Sequence, residues 1–599
     1  MATVKEYLNP LKTTIVIPDK PDALENKAAL LLKKWLQKIY QIDSGFQVVK
    51  ERLININKDE ILIALGRTKF SSFNSTDSLQ PYSFEINKKE NILSIYGETP
   101  LGTLIASGYF LDHFCDVRFY LPDDLFISVP KNHKVNLNKV ISVKEVPFTR
   151  YLMSTGYRVK GAFEWAQING LSRKDWGSHQ HSMGDRFYDD SIFKMFPEIF
   201  PIINGQRYIP KSKQDQKWEP DFAEPTLVDA AVYSAIKYFK KNPTINYISF
   251  SVQDSPDYPT EGKMGDFLKR YPNTKEGKIR GYTDAYISFL NKLADSLRTA
   301  LPENGISAPK TIVYIVYGNV RYLPDVKLDA SILPITVVHV SETLMDSVYN
   351  PSWKPTQAGY KLNAWPKVAK RIGNHDWAEG RGFIYPRIYT NLVSRFLTTI
   401  QKNKLNFDYA HLEFYPNWAL DGPKYYLMGK IYWNPRVNTD SLLSLFCKDM
   451  FGKAAKQMES YWKNLELLNA SMNNDPKRNR RIGGYTTQLS LNEKELAFAA
   501  AARKNIDKAY LIAQRDIEKE RIDFFSKGFK ISEGFFELYN SKDVDTAKAN
   551  EIKDYLKNKI AGNPMMLNMA TDTNFLDGMD NLVDQIIKKK MASKTSVHK

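Results

Sequence analysis

Cysteine is nearly absent: the 599-residue chain holds only Cys115 and Cys447. Each lies in an apolar context, HFCDV and LFCKD, so neither a disulfide framework nor a thiolate metal site is suggested. Long apolar runs are missing too, and nothing approaches the ~18 consecutive apolar residues of a membrane-spanning helix. Gly and Pro, 30 of each, are too few for a collagen-like or low-complexity chain. No glycine-rich phosphate loop occurs, so no nucleotide or redox cofactor is expected. The opening MATVKEYLNPLK lacks a basic stretch followed by an apolar one. A secretory leader is therefore expected to have been removed from an exported chain, secreted, periplasmic or held at the outer membrane.

What is present describes an ordinary globular protein, with 43% hydrophobic and 25% charged residues. At ~150 residues per domain the length allows several units, or fewer if one is a large α/β barrel. Lys and Arg number 84 against 67 Asp and Glu, a net charge of +17. Such a balance suits nucleic acid, a membrane surface or an acidic substrate. The basic residues are scattered, however, with short runs only at Lys477–Arg481 and Lys588–Lys590, and no nucleic-acid-binding signature accompanies them.

Three regions follow from the patterning. Over residues 1–142, short β-branched runs (TTIVIPD, EILIALG), a hairpin (YSFEINKKENILSIYGE) and helical periodicity at Lys27–Tyr40 and Gly102–His113 predict an α/β sandwich. Over 143–437, strand candidates Phe148–Ser154, Tyr247–Val252, Thr311–Tyr317, Ile335–Val340, Gly382–Ile388 and Phe407–Phe414 alternate with helices such as Tyr282–Leu301. This alternation predicts a (β/α)8-type barrel, with two strands missed or degenerate. Over 438–599 the pattern is mainly helical (Asp440–Phe451, Ala454–Leu468, Leu491–Ala513, Ile517–Tyr539), with Asp440 as an N-cap and the final dozen residues as a loose basic tail.

In a barrel, chemistry belongs at the C-terminal ends of the strands. YISFSVQDSPDY ends with Gln253 and Asp254; YAHLEFYPNW brings His411 and Glu413, then Tyr415 and Trp418. Two acids on separate strands beside aromatics is the arrangement a glycosidase needs, one carboxyl protonating the leaving oxygen and the other acting as base or nucleophile. Aromatic faces stack on sugar rings. Either acid could equally be a helix cap or an ion-pair partner. In DWGSHQHSMGDRFY, His179 and His181 lie on one side of an extended segment, suited to substrate contact or, less readily, to a metal. No third ligand follows at metal-like spacing and HExxH is absent, so no metal is expected. His339 and Glu342 end another strand candidate, Tyr317 and Tyr385 lie on two more, and Asn374, His375 and Asp376 read as a loop.

Specific wording carries a resemblance. YGETPLGTLIASGYFLDHFCDVRFYLPDD, Tyr96–Asp124, resembles the non-catalytic N-terminal domain of bacterial α-glucuronidases and hexosaminidases. HSMGDRFY, FPEIFPIINGQR, FSVQDSPD, YTDAYISFLNKLADSLR, TIVYIVYGNV, LEFYPNWALDGPKYYLMGKIYWNP and LFCKDMFGKAAKQMESYW follow in order the wording of the bacterial domain of unknown function 4838, a family associated with glycoside hydrolase family 163. The resemblance covers about residues 10–465 and implies a barrel hydrolase acting on glycans, an endo-β-N-acetylglucosaminidase on N-glycans first of all. It implies Glu413 and Asp254 as the catalytic carboxylates, and Arg150, His179, His181 and Trp418 as subsite residues. Two departures bear on substrate: the cysteines that many relatives carry after the position of Asp254 are missing, and Phe196 stands where relatives have His. An α-glucuronidase-like or other hydrolase of an acidic polysaccharide, or a non-catalytic glycan-binding protein on the same scaffold, are the alternatives.

Overall fold

The computed structural model describes residues 7–55, 60–71, 82–130, 134–140, 142–173, 179–307, 309–338, 340, 362–378, 380, 383–474, 490–543 and 545–597. Contacts divide the chain into two compact units, one of residues 1–173, 377–395 and 412–599, the other of 174–376 and 396–411.

The first unit begins with a six-stranded mixed sheet in the order Gln47–Lys50, Thr13–Ile17, Ile61–Leu65, Ile92–Gly97, Phe84–Lys89, Val143–Glu145. Four of these strands fall on the predicted β-branched runs and hairpin, and on them Ile15, Ile63, Ile86 and Leu93 are completely buried. The helix Ala23–Tyr40 starts at a capping box, with Asp22 Oδ1 accepting the Leu24 N–H at 2.8 Å and Glu25 Oε2 accepting the Asp22 N–H at 2.9 Å, satisfying two of the donors a helix start leaves open. The helix Pro100–Cys115 lies directly on the sheet. That approach requires glycine, because a Cβ on Gly97 would stand 2.1 Å from the Gly102 carbonyl carbon.

In the same unit the C-terminal helices Thr439–Phe451, Ala455–Asn474, Glu493–Ile512 and Asp516–Asn540 surround fully buried Phe525, whose ring meets Trp462 at 5.1 Å, Phe126 at 5.4 Å and Phe451 at 6.1 Å. Arg118 joins the sheet domain to these helices. Its guanidinium donates to Asp112 Oδ1 at 2.8 Å, Asp449 Oδ2 at 2.8 Å and Asp116 Oδ1 at 2.7 Å, while Lys430 Nζ reaches Asp112 Oδ2 at 2.6 Å. Burial pushes the Asp112 carboxyl up, but Lys430, His113 and Arg118 outweigh it and hold the group below its ordinary value.

The second unit carries strands Tyr247–Ser249, Thr311–Val316, Ile332–Val337, Arg371–Asp376 and Asn406–Glu413 as successive neighbours, the last running on into the first unit. The first three pairings are parallel, with Ser249 opposite Val313 and Val337 opposite His375. Helices Leu227–Lys241 and Lys275–Glu303 belong to this unit, and their apolar residues Leu227, Phe239, Leu290 and Leu297 are buried, as parallel strands need on their faces. The protein is thus a mixed α/β chain with a curled parallel sheet and a helical C-terminal region. The eight strands of a complete barrel are not found among the described residues.

Several expectations are corrected. Gly382–Ile388 forms no strand over its described residues 383–388; the strand is Arg371–Asp376 instead, placing Asn374, His375 and Asp376 inside the sheet and not in a loop. The cap of the helix Thr439–Phe451 is Asn438, whose Oδ1 accepts the Ser441 N–H at 2.8 Å, and Asp440 lies in the first turn. The expected loose tail is helical over its described residues, as the end of the helix Thr573–Val597. Among the described residues no helix is long and apolar enough to cross a membrane.

Candidate functional site

In the second unit, Asp254 and Tyr317 follow the C-terminal ends of two adjacent parallel strands, Tyr247–Ser249 and Thr311–Val316. Asp254 is exposed. Its backbone N–H donates to Gln216 Oε1 at 3.0 Å, and its Oδ1 accepts the Tyr317 hydroxyl at 2.9 Å. Burial, then the adjoining Asp254 carboxylate, pushes the Tyr317 phenol up to about 12, so it stays a donor across neutral pH. The His181 ring stands edge-on to Tyr317 at 6.0 Å. His181 Nδ1 lies 3.0 Å from the Val252 carbonyl, which fixes the proton on Nδ1 and leaves Nε2 as an acceptor. His181 holds this place with φ of 42°, a left-handed conformation unusual for a residue other than glycine.

Beneath this strand end sits a carboxyl that sequence reasoning missed. Glu219 is fully buried, and its Oε1 accepts the Gln253 N–H at 2.6 Å. Its Oε2 has no hydrogen-bond partner. Burial holds its proton on well above the ordinary 4.5, with the Gln253 hydrogen bond pulling the other way. Glu219 comes from the irregular stretch KWEPDF, which has no periodicity to mark it; the only signal was an acid between two aromatic residues.

His179, read with His181 as lying on one side of an extended segment, has different partners. It is buried, with its Nδ1 3.0 Å from the Tyr409 hydroxyl and its Nε2 3.2 Å from His375 Nδ1. Its backbone carbonyl accepts from the Ser251 hydroxyl at 2.5 Å and the Ser249 hydroxyl at 3.1 Å, tying this segment to the first strand. Burial, then the nearby His411, His375 and His181, hold the His179 imidazole well below its usual range, in the neutral form.

In the first unit, Glu413 is partly exposed at the C-terminal end of its strand. The next residue, Phe414, donates its N–H to the Thr155 carbonyl at 3.1 Å. Tyr415 has φ of 38° and lies against Gly156. Trp418 is only 1% exposed, wedged edge-on against Trp165 at 5.1 Å and Tyr425 at 5.5 Å, and so presents no open face to a sugar ring. Asn417 donates its side-chain N–H to the Phe383 carbonyl at 2.8 Å, while its Oδ1 accepts the Asn568 N–H at 2.9 Å. Asn568 also donates to the Gly156 carbonyl at 2.8 Å, so a segment of the helical C-terminal region fastens this loop. Arg150 spreads its guanidinium 5.2 Å from the Tyr151 ring centroid. Tyr385 is buried beside Phe383 at 5.7 Å. His339 and Glu342 lie outside the described residues.

Two clefts of the first unit hold none of these residues. One of about 550 Å³ is lined by Arg503, Lys530, Glu533 and Tyr555; the other, about 440 Å³, by Tyr109, Asp112, Glu145 and Trp433.

Among solved structures, a GH138 enzyme targeting pectin rhamnogalacturonan II is similar with 10% identity and a TM-score of 0.47, over 98% of this chain and 100% of that one. A family 89 glycoside hydrolase from Clostridium perfringens, in complex with 2-acetamido-1,2-dideoxynojirmycin, is similar with 11% identity and a TM-score of 0.47, over 89% of this chain and 65% of that one. No curated protein matches the chain. The family described as Domain of unknown function (DUF4838) matches residues 121–463. That span is more than half of the 599 residues, and the chain belongs to this family.

Proposed function

We propose that the protein is a glycoside hydrolase, with Glu413 as general acid/base and Asp254 as the second carboxylate. The observation that carries this reading is the Tyr317–Asp254 hydrogen bond of 2.9 Å at the C-terminal ends of two adjacent parallel strands, where α/β folds gather their reacting groups. A carboxylate that accepts from a phenol is held in one orientation, as an acid needs to be when it positions a substrate amide or activates water. Arg150, His181, Tyr317, Tyr385 and Tyr415 are the subsite residues of this reading, together with His339 and Glu342, which lie outside the described residues. The resemblance of the residues to the glycoside hydrolase family 163 wording selects an endo-β-N-acetylglucosaminidase of N-glycans, in a barrel domain at 143–437 between a sandwich at 1–142 and helices at 438–599. Such an enzyme works outside the cytoplasm.

A net charge of +17 favours a second reading, a hydrolase of an acidic polysaccharide. The experiment is a mass-spectrometric product scan with complex N-glycoproteins, acidic xylo-oligosaccharides and other acidic glycans, on the wild type, Glu413→Gln and Asp254→Asn. Release by the wild type, with a loss of about 10²- to 10⁴-fold in each variant, is expected. Full activity in Glu413→Gln removes the assignment; binding without release by any form makes the protein a glycan-binding module.

A further inference from the structure

Three histidines that the sequence spreads over more than two hundred positions meet inside the second unit. His179, His375 and His411 are 2%, 1% and 4% exposed, and one ring nitrogen from each lies within 4.8 Å of the other two. His375 and His411 stand on neighbouring strands, Arg371–Asp376 and Asn406–Glu413. His179 arrives from a third segment, whose carbonyl is clamped by the Ser249 and Ser251 hydroxyls. We propose that these three imidazoles form a binding site for one divalent transition-metal ion of the zinc class.

Spacing supports this. Four ligands at ~2.0–2.1 Å around a tetrahedral ion stand about 3.3 Å from one another, and His179 Nε2 is 3.2 Å from His375 Nδ1. The rings also diverge as ligands around a point do. His375 is inclined to His411 by 71° with centroids 4.5 Å apart, and His179 to His411 by 87° at 5.0 Å.

The surroundings complete a ligand set. Metal-bound histidines usually give their other ring N–H to an oxygen, which fixes the tautomer and raises basicity. His179 has such a partner in the buried Tyr409 hydroxyl, 3.0 Å from Nδ1, which leaves Nε2 on the side of His375, 3.2 Å from its Nδ1. Gln180 brings its amide nitrogen 2.7 Å from His375 Nδ1 and 3.4 Å from its Nε2. Turned over, that amide presents its oxygen as a fourth ligand. Three neutral nitrogens with one oxygen suit zinc, copper or nickel better than magnesium or calcium, which prefer all-oxygen sites. His181 does not belong to this group, whose ring nitrogens within 4.8 Å of one another are those of His179, His375 and His411. The site also stands apart from the hydrolase reading, since neither Glu413 nor Asp254 belongs to it.

The test uses the full chain, stripped with a chelator, dialysed and titrated with Co²⁺ as a coloured probe. One equivalent is expected to bind with the visible absorption of a four-coordinate ion, and Zn²⁺ is expected to displace it. His375→Gln and His411→Gln should abolish the colour while circular dichroism shows them folded. Tyr409→Phe, which removes the hydroxyl beside His179 Nδ1 and keeps the ring, should weaken Co²⁺ binding by roughly 10- to 100-fold. If the wild type takes up no stoichiometric Co²⁺ or Zn²⁺, or if the folded His variants or Tyr409→Phe bind as the wild type does, the three histidines are a packed structural cluster and the proposal fails.

Discussion

The Tyr317 hydroxyl donates to Asp254 Oδ1 at 2.9 Å, so two residues 63 positions apart are locked together where their strands end. Tyr317→Phe removes the donor and keeps the ring. On a substrate identified by the product scan, kcat/KM is expected to fall roughly tenfold, with the melting temperature nearly unchanged. An unaltered kcat/KM would separate Tyr317 from the site.

Gly156 has φ of +87°, and a Cβ there would lie 2.6 Å from Tyr415 Cγ and 2.6 Å from its backbone nitrogen. Gly156→Ala therefore meets both backbone strain and a clash. A loss of about 1–3 kcal/mol is expected, read by urea unfolding, together with weakened glycan binding as Tyr415 is displaced.

Glu219 gives a pH signature of stability. Its folded-state value is raised by burial above the ordinary 4.5, so between those two values the native state holds a proton that the unfolded chain has released. Its contribution to stability is complete below the unfolded value and is lost as pH rises toward the folded one, with a slope of up to ~1.4 kcal/mol per pH unit. Denaturant unfolding from pH 5 upward should show this decline in the wild type. Glu219→Gln, which cannot ionise, should lack it.

Arg118 has a side chain only 12% exposed, and Asp112 and Asp449 are 14% exposed. Arg118→Met leaves these carboxylates poorly compensated in a place with little water, and a loss of about 3–5 kcal/mol is expected. Because the Asp112 value is lowered, the wild type should also lose stability as pH falls below the ordinary 3.8 of the unfolded carboxyl toward the folded value. A thermal melt series across acid pH, on wild type and variant, checks both statements.

Elements with a clear period were legible in the sequence. TTIVI, ILIAL and TIVYIV became strands, and the apolar stripe of Tyr286, Leu290, Leu293 and Leu297 became a buried helix face. The failure at RIGNHD has a physical reason. Polar residues normally mark loops, whereas Asn374, His375 and Asp376 are all buried within the sheet. Their polar atoms are met by groups far off in the chain: Thr336 donates its hydroxyl to Asn374 Oδ1 at 3.0 Å, and Val340 donates its N–H to Asp376 Oδ1 at 3.2 Å. Conversely, Gly382–Ile388 has strand composition, yet Phe383 is engaged by the Arg387 guanidinium at 3.9 Å from its ring centroid. Local pattern cannot report partners that only the tertiary fold supplies. The candidate site divides the same way: Asp254 and Glu413 were visible as acids at strand ends, while Glu219 and the meeting of His179 with His375 and His411 were not.

The Asn417–Asn568 hydrogen bond spans 151 residues, and that distance is also an interval of synthesis. At ~5–20 residues per second, the segment around Asn568 leaves the ribosome about eight to thirty seconds after Asn417. Through that interval the loop of Tyr415 and Trp418 lacks one of its fastenings, so the protein completes this region late in its own translation. A chaperone that holds the nascent chain would therefore meet this loop while it is still unfastened.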